Sequence, residues 1–416
     1  MYKELVLGRV RSHLSGQSIP DPRCVYYIDP RKIVFATCLD NGSPDWEDWV
    51  LPQRGTLKPV QSGDWDASIH KFADMRIHAA VAARIHEGAA WKSTDYYRTA
   101  IRQIDSGRYV WGCRTAAEFD LHCRRIDELI ESITRDGYRS GAELADAAHF
   151  HVSTGQTEVL VNLSREGLPL FQDGRHRLAI ALALGLPRIP VQVFVRHAEW
   201  QGFREYMRRM AASTGGGASK KAGSLYQPAL HFDLEDLPAE HGCEDRWAAI
   251  EPYLSPSGNR ARALDIGCNL GFMCHRLEER GYAAVGVEYR PEVAYAARRI
   301  ATAEMRSLSI VTGDILDEAT LEPIGSSFDV VLALNIFHHF IKSASGYERL
   351  RALMRRLQVD LLFFEPHRPD DPQMRSAYAN PAPLEFARMI SEWSGLHSIE
   401  EIYKATDGRI LFVLRR

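Results

Sequence analysis

The sequence of 416 residues predicts an α/β protein with a doubly wound, largely parallel sheet in its C-terminal half. Short apolar runs, many of them β-branched, alternate there with helical stretches such as 291–304. This alternation is typical of a parallel sheet that helices cover on both faces. The second observation is a pattern of strand, glycine turn, helix and strand over 264–288. The predicted strands are 261–266, 283–288, 308–312, 328–335, 359–365 and 409–415.

The glycine turn after the first of these strands indicates a nucleoside-binding site. It runs from Asp265 through Gly267 to Gly271, and Glu288 ends the next strand. Gly267 permits a tight turn, Gly271 is expected to start a helix packed closely on the sheet, and the Glu288 carboxylate can accept both ribose hydroxyls. This spacing also fits a nicotinamide or flavin protein, although those prefer G-x-G-x-x-G, whose amides hold a pyrophosphate.

The pattern Asp-x-Gly-x-x-x-Gly resembles motif I of the class I S-adenosylmethionine-dependent methyltransferases, which have a Rossmann-like fold. The resemblance implies S-adenosylmethionine as cofactor, with Asp265 positioning its amino acid part. It also places Asp314 near the adenine amino group and Ile315 against the ring, although Asp314 fits an ordinary loop carboxylate equally well. The candidate cofactor-binding residues are Asp265, Gly267, Cys268, Asn269, Gly271, Glu288, Asp314, Ile315 and Asn335.

Ligands of open α/β sheets collect at the carboxyl ends of the strands, so the methyl acceptor is expected beside the residues that follow the fourth and fifth strands. A hydroxyl acceptor needs a general base, for which His338 or His339 is suited. A phosphate monoester needs only donors and cations such as His339, His367 and Arg368. One of the paired histidines is expected to be structural, and His339 is the weaker candidate. The candidate catalytic residues are Asn335, His338, His339 and His367.

Length and composition indicate two domains. A Gly/Ala/Ser-rich stretch at 213–224 predicts a linker between a domain at 1–212 and a methyltransferase domain at 225–416. The net charge of −3 offers no general attraction for nucleic acid. The seven cysteines include no C-x-x-C pair, which predicts free thiols and no structural metal. No apolar run approaches the roughly 18 residues of a membrane helix. We therefore expect a cytoplasmic protein.

The N-terminal half contains a glycine turn with cationic side chains at the start of an Ala/Leu-rich helix, where backbone amides favour an anion such as phosphate. This motif, with the Leu-Gly turn and the strand 191–195, resembles the ParB/sulfiredoxin-like fold over about 25–40 and 135–200. The resemblance implies a bound nucleotide, ATP or CTP with Mg, and some such proteins are kinases. The candidate phosphate- or nucleotide-binding residues are Asp173, Gly174, Arg175, His176 and Arg177.

Two departures limit this resemblance. Arg175 stands where sulfiredoxins carry their cysteine, which argues against sulfinic acid reduction. The linker replaces the helix-turn-helix of the partition proteins, which argues against sequence-specific DNA binding. A degenerate domain with Arg175 and Arg177 in surface salt bridges is the alternative.

Two further features of the N-terminal half are open to different interpretations. A largely helical insert at 67–140 contains Trp91, Tyr96, Tyr97, Tyr109 and Trp111, which we expect to be core rather than the lining of a sugar or base site. Asp64 and Asp66 precede this insert and are expected to cap a helix, with a magnesium site as the alternative.

The segments 225–228 and 333–340 are similar to the methyltransferase domains of O-antigen chain-terminating kinase-methyltransferases, which phosphorylate a glycan end and methylate that phosphate. We expect an S-adenosylmethionine-dependent O-methyltransferase that acts on a phosphorylated or hydroxyl group of a glycan or small metabolite, with a second, kinase-like activity in the N-terminal half. One alternative is a nucleotide-binding regulator or scaffold that only senses the cofactor. Methylation of nucleic acid is disfavoured, because no Pro-Pro-aromatic signature follows Asn335.

Overall fold

The structure is a computed structural model that describes residues 19–21, 23–37, 47, 58–141, 143, 158–213, 223–255, 261–368 and 370–416. Two compact units divide the chain between Tyr206 and Met207. The division lies within a helix, Ala198–Ala212. Most of the predicted linker, 214–222, falls outside the described residues, so the linker and the domain bounds stay predictions.

The N-terminal unit is built on a sheet of five strands in the order β1-β5-β3-β4, with β2 paired to β5. Strand β5 is central and pairs antiparallel with β1 but parallel with β3. The strands are β1 Val25–Ile28, β2 Val60–Gln61, β3 Val159–Leu163, β4 Pro169–Asp173 and β5 Ile189–His197. The helices are α1 Arg76–Glu87, α2 Asp95–Asp105, α3 Ala116–Asp136, α4 Arg175–Ala183 and α5 Ala198–Ala212, which crosses into the second unit.

The structure corrects part of the interpretation of the aromatic insert. Trp91, Tyr96 and Tyr97 are buried as expected, but Tyr109 is 59% exposed and Trp111 is 41% exposed. Local sequence spacing could not separate these groups, because Tyr109 and Trp111 lie in the loop between α2 and α3 rather than on a buried helix face.

The carboxylates ahead of the insert neither cap a helix nor stand apart as metal ligands. Arg165 pairs with both of them, with Nη2 lying 2.7 Å from Asp64 Oδ1 and 2.7 Å from Asp66 Oδ1. The Arg165 backbone amide also donates to Asp66 Oδ2 at 2.7 Å. The predicted cap is therefore wrong. The partner of both carboxylates, Arg165, lies in the β3–β4 turn, about a hundred residues along the chain. Local sequence patterns do not reveal a contact over this separation.

The C-terminal unit contains a seven-stranded sheet in the order β11-β12-β10-β9-β6-β7-β8. The strands are β6 Arg262–Ile266, β7 Ala283–Glu288, β8 Ser309–Thr312, β9 Ser327–Leu334, β10 Gln358–Glu365, β11 Ser398–Lys404 and β12 Ile410–Arg415. The helices are α6 Glu244–Ile250, α7 Phe272–Glu279, α8 Pro291–Ala303, α9 Glu318–Ile324, α10 Ala344–Arg356 and α11 Pro383–Ser394.

This sheet confirms all six predicted strands and the helix that begins at Pro291. Strands β6 to β10 are parallel, whereas β12 runs antiparallel to β10. Strand β11 was not predicted, because Glu400, Glu401 and Lys404 break its apolar pattern. It is an edge strand, so charged side chains are tolerated there. They also hinder another strand from pairing with the unpaired backbone N–H and C=O groups of the edge.

Alternate residues of the central strands enter two cores on opposite faces of the sheet. Leu264, Ile266 and Val331 pack into one core with residues of α10 and α11. Ala263 and Val330 pack into the other with residues of α6, α7 and α8. A sheet buried on both faces requires the continuous apolar strands that the sequence shows.

Gly286 provides a test of this packing. A Cβ at this position would lie 2.6 Å from Cys268 Sγ and 2.8 Å from Cys274 Sγ, which is closer than atoms can approach. We expect Gly286→Ala to lower the free energy of unfolding by about 1–3 kcal/mol, measured by urea denaturation. Gly202→Ala is the matched control in α5, because nothing lies within 4 Å of its added Cβ. Equal effects of the two substitutions would contradict this account of the packing.

Candidate functional site

The candidate site lies where the strand order of the C-terminal sheet reverses. Strand β6 has β7 on one side and β9 on the other. The connections from β6 and from β9 therefore lead towards opposite edges of the sheet. Ligands of open α/β sheets bind in the crevice at such a point, outside the carboxyl ends of the strands. The predicted glycine turn follows β6, and the predicted acceptor residues follow β9 and β10.

The glycine turn is held against the end of β7. The backbone amides of Gly267 and Cys268 both donate to the carbonyl oxygen of Val287, at 2.8 and 3.1 Å. Gly267 has a φ of 78°, and a Cβ there would lie 3.0 Å from the Ile336 side chain. Both observations require glycine at this position, as the sequence predicted.

Gly271 starts helix α7 as expected, but the physical reason differs from the predicted one. A Cβ at Gly271 would lie 3.6 Å from the nearest side-chain atom, Ile310 Cδ1, which is an ordinary contact. The glycine is favoured instead by its φ of 85°, in the left-handed region. Close packing against the sheet is found at Gly286, which the sequence did not single out.

Glu288 lies at the end of β7 and faces the glycine turn. Its Oε2 accepts from the backbone amide of Asn269 at 3.0 Å, and its Oε1 accepts from the amide of Arg290 at 2.9 Å. Asn269 adopts a left-handed φ of 52°, which aims this amide at the carboxylate. Oε1 also accepts from Arg290 Nε at 3.4 Å. Because a carboxylate oxygen can accept two hydrogen bonds, Oε2 keeps capacity for a ribose hydroxyl.

Asp265 is the second carboxylate of the crevice and is 4% exposed. Its Oδ2 accepts a weak hydrogen bond from Cys274 Sγ at 3.7 Å. Burial, together with the nearby Glu288 charge, raises the pKa of this carboxyl to about 7. A buried carboxylate with so little compensation is suited to a cationic ligand.

Cys268 and Cys274 complete the floor of the turn. Both are fully buried free thiols, and the hydrogen bond with Cys268, together with burial, raises the pKa of Cys274 well above its usual value. The other described cysteines, Cys24, Cys113, Cys123 and Cys243, are also free, which confirms the prediction for them. Cys38 lies outside the described residues.

The candidate adenine residues follow β8. Ile315 is 3% exposed and belongs to the core beneath α10. Asp314 Oδ1 accepts from the backbone amide of Leu316 at 3.0 Å, and its Oδ2 lies 3.5 Å from Arg349 Nη2. Asp314 therefore shapes its own loop, and its contact with a cofactor stays a prediction.

Asn335 occupies the end of β9, beside the glycine turn. It has a left-handed φ of 54°, and its amide donates to the Glu365 carbonyl at 2.8 Å. Its side-chain Nδ2 donates to the Tyr226 hydroxyl at 3.2 Å. Tyr226 belongs to the segment ahead of β6, and the next residue, Gln227, accepts from the Phe272 amide at 3.4 Å. Sequence reasoning noted this segment only as part of a resemblance and missed that it covers the site.

The predicted histidines gather at the ends of β9 and β10. His338 is 3% exposed, and its ring centroid lies 4.0 Å from that of His339 and 5.7 Å from that of His367. His339 is exposed, and its Nδ1 lies 3.4 Å from Lys342 Nζ. Arg368 donates to the Asp407 carbonyl at 3.2 Å and so reaches the β11–β12 turn. The structure thus groups the histidines, while Arg368 contacts another loop.

A buried ion-pair network anchors the end of β10. Glu365 is 2% exposed and pairs with Arg246 Nε at 3.0 Å and with Arg409 Nη1 at 3.3 Å. Burial raises the pKa of the Glu365 carboxyl, and the two guanidinium groups oppose that shift. The three residues come from distant parts of the chain, so no local motif could have revealed them.

The predicted phosphate motif of the N-terminal unit also forms a cluster. Strand β4 ends at Asp173, Gly174 has a φ of 92°, and helix α4 begins at Arg175. The Arg175 guanidinium lies 4.2 Å from the centroid of the Trp111 ring. This places an exposed aromatic of the insert directly at the motif.

His176 extends this cluster. Its Nε2 lies 3.3 Å from the Tyr96 hydroxyl, which is also 3.2 Å from His122 Nε2. Burial lowers the pKa of His176 well below its usual value, and His122, Arg175 and Arg177 lower it further. The guanidinium groups of Arg175 and Arg177 thus place positive charge beside the His176 ring.

The burial of Asp265 predicts a pH-dependent stability. The folded protein retains the Asp265 proton up to about pH 7, whereas the unfolded chain loses it near 3.8. Between these values the folded state binds more protons, so stability falls as pH rises and then levels above about 7. We expect Asp265→Asn to become progressively more stable than the wild type over this range. The gain amounts to a few kcal/mol at most, since one pKa unit corresponds to about 1.4 kcal/mol.

Urea denaturation of both proteins at pH 5, 6, 7 and 8 measures this difference in stability. A difference that is constant with pH would contradict the assignment of the proton to Asp265.

Comparison with known proteins identifies a methyltransferase domain in the C-terminal unit. Residues 264–357 match the family model described as a methyltransferase domain. This range begins in β6 and ends after α10, so it contains the glycine turn, Glu288 and the paired histidines. Among the described residues, no helix has the length and apolar character needed to cross a bilayer.

The curated relatives include the O-antigen chain terminator bifunctional methyltransferase/kinase WbdD of Escherichia coli. One such protein is 24% identical over 166 residues, which is 36% of this chain and 23% of the relative. A second protein of that name is 26% identical over 137 residues, which is 32% of this chain and 19% of the relative. The chain thus matches about a fifth to a quarter of the length of these relatives.

The similar solved structures include a co-crystal of WbdD with a kinase inhibitor, which is 20% identical with a TM-score of 0.39 and covers 47% of this chain and 46% of that one. An S-adenosylmethionine-dependent methyltransferase from Mesorhizobium loti is 16% identical with a TM-score of 0.33, covering 42% of this chain and 100% of that one. The family match shows that the C-terminal unit carries a class I S-adenosylmethionine-dependent methyltransferase domain with a Rossmann-like fold.

Proposed function

We propose that this protein is an S-adenosylmethionine-dependent O-methyltransferase whose acceptor is a glycan or a small metabolite. The observation that carries the proposal is the placement of two buried carboxylates and a cluster of histidines at one edge of the sheet. The match of residues 264–357 to a methyltransferase domain supports it. The glycan acceptor is suggested by the O-antigen relatives.

The residues of the crevice fit the chemistry of this cofactor. Asp265 is buried beside a thiol and faces no cation among its described contacts, so it suits the ammonium group of the cofactor's amino acid part. Glu288 Oε2 retains hydrogen-bonding capacity for a ribose hydroxyl. Bound S-adenosylmethionine would supply an electrophilic methyl group on a cationic sulfur. Asn335, His338 and His367 would then position the acceptor and exclude water from it.

We further propose that the N-terminal unit binds a nucleotide or phosphate group, ATP or CTP with Mg, at Asp173, Gly174, Arg175, His176 and Arg177. The electropositive cluster around Trp111 and His176 supports this assignment. A kinase activity there would give the chain two transferase sites. The ParB-like fold of this unit stays a prediction.

A regulator that only senses the cofactor would bind S-adenosylmethionine at the same site as a methyltransferase but would not transfer its methyl group. Production of S-adenosylhomocysteine that depends on an added acceptor separates the two functions. A regulator would bind the cofactor at unit stoichiometry and release it unchanged.

Cofactor binding tests the C-terminal proposal. We expect Gly267→Ala to weaken S-adenosylmethionine binding about tenfold or more, because its Cβ would meet Ile336 at 3.0 Å on a strained φ of 78°. Isothermal calorimetry measures the change, with Gly202→Ala as the control.

Binding of S-adenosylmethionine by the wild type should strengthen as pH rises towards about 7, where Asp265 becomes charged, and Asp265→Asn should lose this dependence. If the wild type does not bind S-adenosylmethionine, the proposal is wrong.

Nucleotide binding tests the N-terminal proposal. We expect Arg175→Ala to weaken ATP or CTP binding about tenfold, because charge-assisted hydrogen bonds to phosphate are lost. Arg102→Ala is the control, since Arg102 is exposed on α2 and contacts Thr99 of the same helix. Calorimetry with and without Mg measures both variants. Equal affinities for the two variants would argue that the anion binds elsewhere.

A further inference from the structure

We propose that His367 is the proton acceptor for methyl transfer and that the methyl acceptor is a hydroxyl group rather than a phosphate dianion. This inference rests on the proposed methyltransferase function and narrows its substrate class. The sequence left the hydroxyl and the phosphate open and favoured His338 or His339 as the base for a hydroxyl.

The hydrogen bonding of His367 sets its tautomer. His367 follows β10 and is 1% exposed. Its Nε2 lies 2.7 Å from Asn380 Oδ1, a carbonyl oxygen that can only accept a hydrogen bond. Nε2 therefore carries the hydrogen, and the neutral ring presents a lone pair at Nδ1. Asn380 acts here as a positioning residue.

The other nitrogen of His367 points to a missing hydrogen-bond donor. Nδ1 is buried and has no hydrogen-bond partner among the residues that the structure describes. Buried polar atoms are nearly always paired in folded proteins. Since His367 follows β10, at the carboxyl ends of the strands where ligands of such sheets bind, a ligand is the candidate donor. The His367 ring lies beside His338, at 5.7 Å between centroids, and meets Phe386 at 6.1 Å.

The lone pair at Nδ1 discriminates between the two acceptor classes. A hydroxyl donates its hydrogen to Nδ1 and is oriented by that bond. A phosphate dianion has no hydrogen to donate, so it can pair with Nδ1 only when the ring has taken up a proton, and a protonated ring cannot act as the base. His339 is placed differently, because its Nδ1 already lies 3.4 Å from the Lys342 ammonium, a donor.

The proposed step balances without a further reactant. The acceptor oxygen attacks the sulfonium methyl carbon, and a new oxygen–carbon bond forms as the sulfur–carbon bond breaks. The electron pair of the broken bond stays on sulfur, which leaves as the neutral thioether of S-adenosylhomocysteine. The hydroxyl proton moves to His367 Nδ1, and the imidazolium later releases it to water.

Substitutions at His367 and Asn380 separate proton transfer from a structural role. In His367→Gln, the side-chain amide can still donate to Asn380 but offers no base, so we expect kcat to fall about a hundredfold or more with cofactor affinity unchanged. Asn380→Ala should also lower kcat, because without the Asn380 oxygen the hydrogen is no longer held on Nε2 of His367. Asn380→Asp should restore most of this loss, because the aspartate oxygen again accepts from Nε2. His397→Gln, on an exposed turn, is the matched control.

The acceptor class is tested with octyl glucoside as the alcohol probe and phenyl phosphate as the phosphate probe, using tritium-labelled S-adenosylmethionine and the full chain. Transfer to octyl glucoside that is lost in His367→Gln supports the proposal. Transfer to phenyl phosphate alone, or an undiminished rate in His367→Gln, overturns it.

If neither probe is methylated, the tautomer of His367 tests the proposal. Nitrogen-15 NMR of histidine-labelled protein, with His367 assigned from its absence in His367→Gln, should show hydrogen on Nε2 in the wild type and a mixture of tautomers in Asn380→Ala. Hydrogen on Nδ1 in the wild type overturns the proposal. A failure of the cofactor to bind in calorimetry counts against the methyltransferase itself and leaves this tautomer measurement valid.

Discussion

The turn between β6 and α7 is the constraint on which the C-terminal site depends. Two consecutive amides, of Gly267 and Cys268, share the carbonyl of Val287, and the Asn269 amide reaches Glu288. The turn and the end of β7 therefore form one hydrogen-bonded unit, and the positions of both crevice carboxylates follow from it. This close approach needs backbone with little side-chain bulk, which is why glycine stands at 267 and 286.

The same arrangement explains why the crevice is suited to a cationic ligand. Asp265 and Glu288 are both buried, at 4% and 5% exposure, and they repel each other when charged. Glu288 is compensated by two backbone amides and by Arg290, whereas Asp265 has a thiol as its described donor. The electrostatic cost of burying Asp265 is thus present before any ligand binds, and a cation relieves it. At the end of β10, by contrast, the buried Glu365 is compensated by the guanidinium groups of Arg246 and Arg409.

The N-terminal unit uses a comparable local motif in a different environment. Gly174 turns the chain from β4 into α4, as Gly271 does at the start of α7, and both have a left-handed φ. Around Gly174 the Asp173 carboxylate accepts from the Gly174 amide, and Arg175 and Arg177 lie beside His176. The crevice of the C-terminal unit instead holds two buried carboxylates, so the two motifs differ in the charges that surround them.

The sequence by itself determined the strands of the C-terminal sheet, the glycine turn and the acid at 288, because these depend on local periodicity and on backbone freedom at single residues. It also identified the histidines after β9 and β10, since parallel strands end at one edge of their sheet. Only the tertiary structure decided which side chains meet. Arg165 pairs with both carboxylates that were expected to cap a helix, and Arg175 lies over the Trp111 ring. Tyr226 accepts from Asn335, and Asn380 Oδ1 lies 2.7 Å from His367 Nε2. These contacts join residues from separate segments, so their geometry is fixed by packing and cannot be read from neighbouring positions in the chain.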